Sequence, residues 1–353
     1  MRRGLMAWSE DELPVAALRD RATGLQTAMQ TGGVDALILY TNLVRPSAVH
    51  YLNGLTPYWS EGLLQLGRSG EPVFATALSK RVATWMRTVS PVGEIVNTPR
   101  PGTLIGQRIA ADKTARRVGI LELDALPSGT YDDLAAAAPD VALVDATALF
   151  AQARRRIDAA ELHLLARADT IATAALADVD PALADAGAVA GPVEKRARLD
   201  GAEEAYIMVA PDLARERRMV RASPAQPLGS VFAVRASIAY KGVWVRRTRT
   251  FAKDAAGQQK IAALDAWFAD TMRSLAPGTL AEQIAASVKR QPDAELAGWL
   301  AESCRGTNPL QPIAGARAPA NAPLIAGDHV VLTLDLTVGG MPWLGAASVV
   351  IGM

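Results

Sequence analysis

The sequence predicts a two-domain protein, with an α/β domain in the first half and an α+β domain in the second half. Three observations carry this prediction. The chain has 353 residues, a length typical of two domains. Strand-like apolar runs alternate with helical patterns over roughly the first 150 residues. The second half instead combines amphipathic helical patterns with longer strand-like runs, of which 228–251 is the clearest.

The first half supplies the elements of the α/β domain. Leu18, Ala22, Leu25 and Met29 lie on one face of a predicted helix at 17–29. The apolar run at 34–40 predicts a central strand that is buried on both faces. Further short strands are predicted at 63–66, 73–75, 118–121 and 141–144.

The second half opens with a capped helix. Asp158 is suited to cap its start, because Glu161 follows at the spacing of a capping box. We place the domain boundary near residue 152, which gives domains at 1–152 and 153–353. Helices are also predicted at 192–200, 255–275 and 280–288, and strands at 205–210, 231–234, 238–240, 243–245, 324–335 and 345–351.

The composition limits the classes of function. There are 37 basic and 36 acidic side chains, so bulk charge does not favour binding to nucleic acid or to a membrane surface. The single cysteine, Cys304, allows no intrachain disulfide and indicates a reducing, cytoplasmic environment. The first residues lack the apolar core of a signal peptide, and no apolar run has the length of a transmembrane helix.

The stretch 228–251 reads as two strands around a turn at Gly242. It resembles the central hairpin of the creatinase/prolidase/Xaa-Pro aminopeptidase superfamily, whose pattern is similar to D-x-G-x-x-x-x-G-Y-x-x-D-x-T-R-T-F. Ser237 and Val243 depart from the first glycine and the tyrosine of that pattern. The residues that match it are Gly242, Thr248, Arg249, Thr250 and Phe251.

The first half is similar to the N-terminal domain of the same superfamily. The similarity rests on the order and spacing of short segments at 34–37, 51–54, 70–72 and 118–120. It implies a creatinase-like α/β domain at 1–152, followed by a pita-bread domain at 153–353. It also implies a dimer in which this domain covers the active-site mouth of a partner subunit. Tyr58, Trp59 and Glu61 could reach such a mouth, or could pack at a domain edge.

The resemblance also places the metal ligands of active members. Arg235 and Arg246 stand where the two hairpin aspartates would be, and Arg305 stands in the place of a histidine. Asp335 takes the place of a glutamate, and Ala346 that of the last glutamate. Because a guanidinium stays protonated and repels a divalent cation, we expect no metal at this site and no other cofactor.

Two interpretations of these residues remain open. In the first, the old site has closed, with Arg235 and Arg246 paired to Asp335 and to neighbouring carbonyls. In the second, the pocket binds a small anion, such as a carboxylate, through Arg235, Arg246, Arg305 and Asp335.

The sequence therefore predicts a metal-free protein without peptidase activity. It would bind a small anionic ligand or act as a non-catalytic partner, as a homodimer or in a heteromer with an active homologue. The alternative is a metal-independent hydrolase, similar to creatinase, that cleaves a C–N bond of a small amide, guanidino or urea-type compound. No catalytic residue can be assigned for it, although Cys304 beside Arg305 is a candidate nucleophile.

Overall fold

A computed structural model describes residues 8–55, 60–223, 225–316 and 322–352. Tyr58 and Trp59 lie outside these residues. The described residues divide into two compact units. The first contains the chain up to His163 together with Cys304–Gln311, and the second contains Leu164–Ser303 together with the chain from Pro312 onward. The predicted boundary near residue 152 lies shortly before this division.

The first unit is built on a mixed six-stranded sheet. Its strands are β1 (Ala36–Thr41), β2 (Gly62–Gly67), β3 (Val73–Thr76), β4 (Glu94–Asn97), β5 (Arg117–Ile120) and β6 (Ala142–Asp145). Their order is β4-β3-β2-β1-β5-β6, and β1 runs antiparallel to β2 and parallel to β5. The helices are α1 (Val15–Thr31), α2 (Ser47–Asn53), α3 (Ala83–Val89), α4 (Pro101–Ala111), α5 (Ser128–Ala137) and α6 (Thr147–Ala153).

Strand β1 is buried on both faces, as the apolar run predicted. Leu37 and Leu39 pack with α1 and α2, whereas Ile38 packs on the other side with α4 and α5. Alternate side chains of a strand point to opposite faces, so this burial places β1 between two helical layers. The predicted buried face of α1 is also confirmed at all four of its apolar positions.

The second unit is built on an eight-stranded sheet. Its strands are β7 (Glu204–Ala210), β8 (Val220–Arg221), β9 (Val231–Tyr240), β10 (Val243–Ala252), β11 (Ala294–Ser303), β12 (Gln311–Gly315), β13 (His329–Val338) and β14 (Met341–Val350). Their order is β12-β11-β13-β14-β10-β9-β7-β8. Four more helices follow α6 among the described residues: α7 (Ala159–Ala177), α8 (Ala186–Leu199), α9 (Ala255–Ser274) and α10 (Leu280–Lys289).

Two helix starts show how local sequence sets the fold. The Asp158 carboxylate accepts a hydrogen bond from the Glu161 N–H at 2.7 Å, so the predicted cap of α7 is confirmed. The prediction for α8 was wrong at its start. That helix begins at Ala186, where Asp185 accepts from the Ala188 N–H, and it continues through Pro192.

Strands β9 and β10 form the predicted hairpin. Lys241 and Gly242 both have positive φ, 43° and 80°, as a tight two-residue turn requires. This turn fixes the register, which sets Arg246 opposite Ser237 and Thr248 opposite Arg235.

The two faces of the second sheet differ in character. Val330, Leu332, Leu334 and Leu336 of β13 pack against the apolar sides of α9 and α10. Because side chains alternate along a strand, Thr333 and its odd-numbered neighbours point to the opposite face. We call that opposite face the polar face; it carries Arg235, Ser237, Arg246, Thr248, Glu302 and Thr333. None of the described helices has the length and hydropathy needed to cross a bilayer.

Candidate functional site

Two rows of side chains cross the polar face, set by the pairing of the strands. The first row is Met208, Arg235, Thr248, Ala346, Thr333 and Leu300. The second row contains Tyr206, Ser237 and Arg246 on one side, and Ser348, Val331 and Glu302 on the other. The two hairpin arginines are therefore diagonal neighbours on one face.

Arg235 is mostly buried and only partly hydrogen-bonded. Its Nε donates to Thr248 Oγ1 at 3.2 Å. Its terminal nitrogens donate to no residue that the structure describes. Burial and the charge of Arg246 lower the pKa of Arg235 to about 10, although Glu302 opposes this shift. At neutral pH Arg235 is therefore a cation with donors available to a ligand.

Arg246 is held at both ends of its guanidinium. Its Nε donates to Ser237 Oγ at 3.2 Å, and its Nη1 forms an ion pair with Glu302. Only 17% of the Arg246 side chain and 9% of the Glu302 side chain are exposed. In the sheet order β14 and β13 lie between β10 and β11, so this contact requires a strongly curled sheet.

Asp335 lies on the same face of β13 but is engaged by a different arginine. Arg217, from the segment between β7 and β8, forms an ion pair with Asp335 through Nη1. It also donates to Leu336 O at 3.2 Å and to Thr337 Oγ1 at 2.6 Å. Burial raises the pKa of Asp335, and Arg217 offsets only part of that rise. The interpretation in which Arg235 and Arg246 pair with Asp335 is therefore wrong.

The strand register places Ala346 and Asp335 in different rows of side chains on the sheet. Ala346 lies directly between Thr248 and Thr333, whereas Asp335 is opposite Leu344. Thr333 Oγ1 is buried, and it has no hydrogen-bond partner among the described residues. A hydroxyl thus lies in the row of Arg235, where carboxylates would be needed for a metal.

Arg305 belongs to the segment Cys304–Gln311, which groups with the first unit. Within that unit the segment is tied down at several points. Thr307 N donates to Glu122 Oε1 at 3.1 Å, Gln311 Nε2 donates to the same oxygen at 3.0 Å, and Ser47 N donates to Thr307 O at 3.0 Å. The structure thus brings Arg235 and Arg246 together and assigns Arg305 to the other unit.

Cys304 lies in the same segment. Its Sγ donates to Asn308 O at 3.6 Å. Burial raises the pKa of this thiol, and the nearby Arg154 only partly opposes the rise. A thiol with a raised pKa carries little thiolate at neutral pH, so the geometry does not favour Cys304 as a nucleophile.

Sequence reasoning missed two residues of this face, Glu302 and Arg217. Glu302 lies on β11, which was not predicted as a strand, and the pairing of β11 with β13 is irregular between Leu296 and Gly298. Arg217 lies outside the regular strands, within the basic run 215–221. That run was the one signal that could have pointed to a nearby carboxylate. Among the described residues, no three His, Cys, Asp or Glu side chains are grouped as metal ligands.

One known protein family matches most of the first unit. Residues 21–156 match the family model of the creatinase/prolidase N-terminal domain. No curated protein matches the chain.

Solved structures match over most of the chain. The Xaa-Pro dipeptidase from Bacillus anthracis is similar with a TM-score of 0.70 and 18% identity, over 95% of each chain. The prolidase from Pyrococcus horikoshii gives 0.68 and 14%, over 94% of this chain and 95% of the other. The N-terminal domain of the FACT complex subunit SPT16 from Cicer arietinum gives 0.65 and 15%, over 95% and 94%.

These matches confirm the predicted fold class, an α/β creatinase-like domain followed by a pita-bread domain with a curled antiparallel sheet. Residues 21–156 match the creatinase/prolidase N-terminal domain, and the chain as a whole shares the two-domain fold of the solved prolidase and Xaa-Pro dipeptidase structures.

Proposed function

We propose that the polar face binds a small anion, with Arg235 as its main contact, and that the protein is not a metallopeptidase. The observation that carries this proposal is the state of Arg235, a mostly buried cation whose terminal nitrogens have no acceptor among the described residues. A carboxylate fits such a guanidinium through two parallel hydrogen bonds. The bound anion would also offset the cost of burying the charge.

The neighbouring carboxylates are not available to a cation. Glu302 is engaged by Arg246, and Asp335 is engaged by Arg217. A divalent metal would have to displace these guanidiniums and tolerate the charge of Arg235. The chemistry of the face therefore supports an anion in preference to a metal.

Calorimetric titration of the full chain with acetate tests the proposal. We expect binding by the unchanged protein and none by Arg235→Met. The matched control is Arg215→Met, because the Arg215 side chain is 87% exposed and forms only a 3.5 Å ion pair with Asp212. Equal binding by Arg235→Met and the unchanged protein would contradict the proposal.

A second role, as a non-catalytic partner subunit, is favoured by the similarity to the SPT16 domain, which is part of a subunit of the FACT complex. The predicted homodimer belongs to the same question. Light scattering during size-exclusion chromatography, with and without an active homologue, measures both. A monomer that elutes separately from the homologue would count against this role. No specific observation favours the metal-independent hydrolase.

A further inference from the structure

A cleft lies on the side of the second sheet that faces the helices, away from the polar face. It has a volume of about 300 Å³ and lies between α9 and the strands β10 and β14. Its apolar lining includes Phe268 and Met272 of α9 and Ala347 and Val349 of β14. Small-molecule sites have volumes of about 300–1,000 Å³ and combine a mainly apolar lining with a few polar groups. This cleft, which we call the α9 cleft, has that character.

Arg249 places an open guanidinium at one end of the α9 cleft. Its Nε is 3.5 Å from Asp265 Oδ2, and its Cζ is 5.3 Å from the centroid of the Phe251 ring. Asp265 is itself fixed, because it accepts a hydrogen bond from Trp343 Nε1 at 3.0 Å. The terminal nitrogens of Arg249 donate to no residue that the structure describes, and 43% of its side chain is exposed. The guanidinium is therefore oriented through Nε, while its terminal nitrogens remain open to a ligand from solvent.

The other two arginines of the cleft do not offer such a group. Arg247 donates to both oxygens of the Asp169 carboxylate, at 2.7 and 2.6 Å. Arg273 is 72% exposed and pairs with Asp270, which is equally exposed. Arg249 is therefore the arginine of this cleft that is both positioned and open.

The apolar part of the cleft extends from Arg249 along α9. Asp265, Phe268 and Met272 recur at helical spacing, so they lie on one face of the helix. At a rise of about 1.5 Å per residue, Met272 lies about 10 Å from Asp265 along the helix axis. The α9 cleft thus has a polar end at Arg249 and a narrow apolar part that leads away from it.

We propose that the α9 cleft binds a medium-chain alkyl carboxylate, with the carboxylate on Arg249 and the alkyl chain along Phe268 and Met272. A carboxylate accepts two parallel hydrogen bonds from a guanidinium, and an alkyl chain removes the apolar lining from water. The cleft lies on the opposite side of the sheet from Arg235. This inference therefore goes beyond the proposed function and does not depend on it.

Calorimetric titrations with octanoate and hexanoate test this assignment. Each buried methylene group tightens binding about fourfold, so we expect octanoate to bind about tenfold more tightly than hexanoate. Arg249→Met should weaken octanoate binding about tenfold or more, because the hydrogen bonds to the carboxylate are lost. Ala269→Leu keeps the guanidinium but fills the cleft, so it should weaken octanoate binding by a similar factor. Arg215→Met, at a side chain that is 87% exposed, is the control.

The same titrations in Arg235→Met separate the two sites. Octanoate binding that persists in Arg235→Met and is lost in Arg249→Met supports the α9 cleft. Equal affinities for octanoate and hexanoate would overturn the inference. Loss of octanoate binding in Arg235→Met alone would also overturn it, while supporting the proposed function. If Arg249→Met does not fold, Ala269→Leu decides, and unchanged octanoate affinity in that variant would rule out the cleft.

Discussion

Arg246 and Glu302 form an ion pair across the concave side of the curled sheet, although two strands separate their own strands. Ser348 and Val331 belong to the intervening strands in the same row. Their side chains are short, which leaves space above them for the two long charged side chains. The pair thus links the two halves of the sheet. It also makes the Glu302 carboxylate unavailable as a metal ligand.

Replacing Glu302 should be strongly destabilising. Glu302→Ala would leave Arg246 buried and without its carboxylate, beside the charge of Arg235. We expect the free energy of unfolding to fall by about 3–5 kcal/mol, as for other broken buried pairs. Urea denaturation measures the loss.

The double variant Glu302→Ala/Arg246→Met provides the check on the cause. It removes both charges and should recover most of the lost stability. Asp270→Asn, which breaks an exposed pair with Arg273, should change stability by less than about 1 kcal/mol. A double variant as unstable as Glu302→Ala alone would show that packing, not charge, is responsible.

Arg235→Met should have the opposite effect on stability. Its pKa, lowered to about 10, shows that the folded protein disfavours the charged form. Removing this charge should stabilise the unliganded protein by about 1–3 kcal/mol, while abolishing anion binding.

The same substitution at the neighbouring arginine is a matched comparison. Arg246→Met leaves Glu302 buried without its partner, so it should destabilise the protein. Thermal unfolding of both variants without added anion distinguishes them. Destabilisation by Arg235→Met would show that the Thr248 hydrogen bond outweighs the cost of the buried charge.

The polar face should not hold a divalent metal. We expect protein purified and dialysed against Mn²⁺ or Co²⁺ to contain no stoichiometric metal, because three arginines occupy or flank its carboxylates. We also expect no hydrolysis of Xaa-Pro dipeptides in the presence of either ion. Elemental analysis and a proline-release assay give the two measurements, and one bound ion per chain at this face would refute the proposed function.

The first unit should lose stability in acid through Asp35. Burial alone would raise the pKa of Asp35, but hydrogen bonds from Arg68 and from the N–H groups of Arg116 and Arg117 lower it to about 2. Since the folded pKa lies below the ordinary value, this contribution to stability is present above about pH 4 and is lost as the pH falls toward 2.

Asp35→Asn tests this pH dependence. The variant should be less stable than the unchanged protein at neutral pH and should show a shallower loss between pH 4 and 2. Thermal unfolding followed across this range measures both. Parallel curves for the two proteins would mean that other carboxylates control the acid response.

Glu122 should hold the segment Cys304–Gln311 in its folded conformation. It accepts hydrogen bonds from Thr307 N, Thr307 Oγ1 and Gln311 Nε2, and it holds a positive φ of 53°. Glu122→Ala should therefore speed amide exchange at Thr307. Glu94→Ala, which removes only an exposed pair with Arg108, is the control, and equal exchange rates in both variants would contradict this role.

Local pattern predicted the parts of the fold that local chemistry determines. The apolar run of β1 and the turn at Gly242 were recognisable because burial and positive φ restrict the residue types. The positions of Arg235 and Arg246 on one face follow from the hairpin register alone. Their partners did not follow, because Glu302 lies on an irregular strand and comes close only through curling of the sheet. Such a long-range approach leaves no periodic signal in the sequence.

The first unit is discontinuous in sequence, and this has a consequence for its synthesis. When residues up to His163 leave the ribosome, the segment Cys304–Gln311 has not yet been translated. The Arg154 guanidinium then lacks the Gly306 carbonyl, and Glu122 lacks Thr307. The nascent domain can collapse early, but it reaches its final hydrogen-bonded form only after the segment Cys304–Gln311 has been translated.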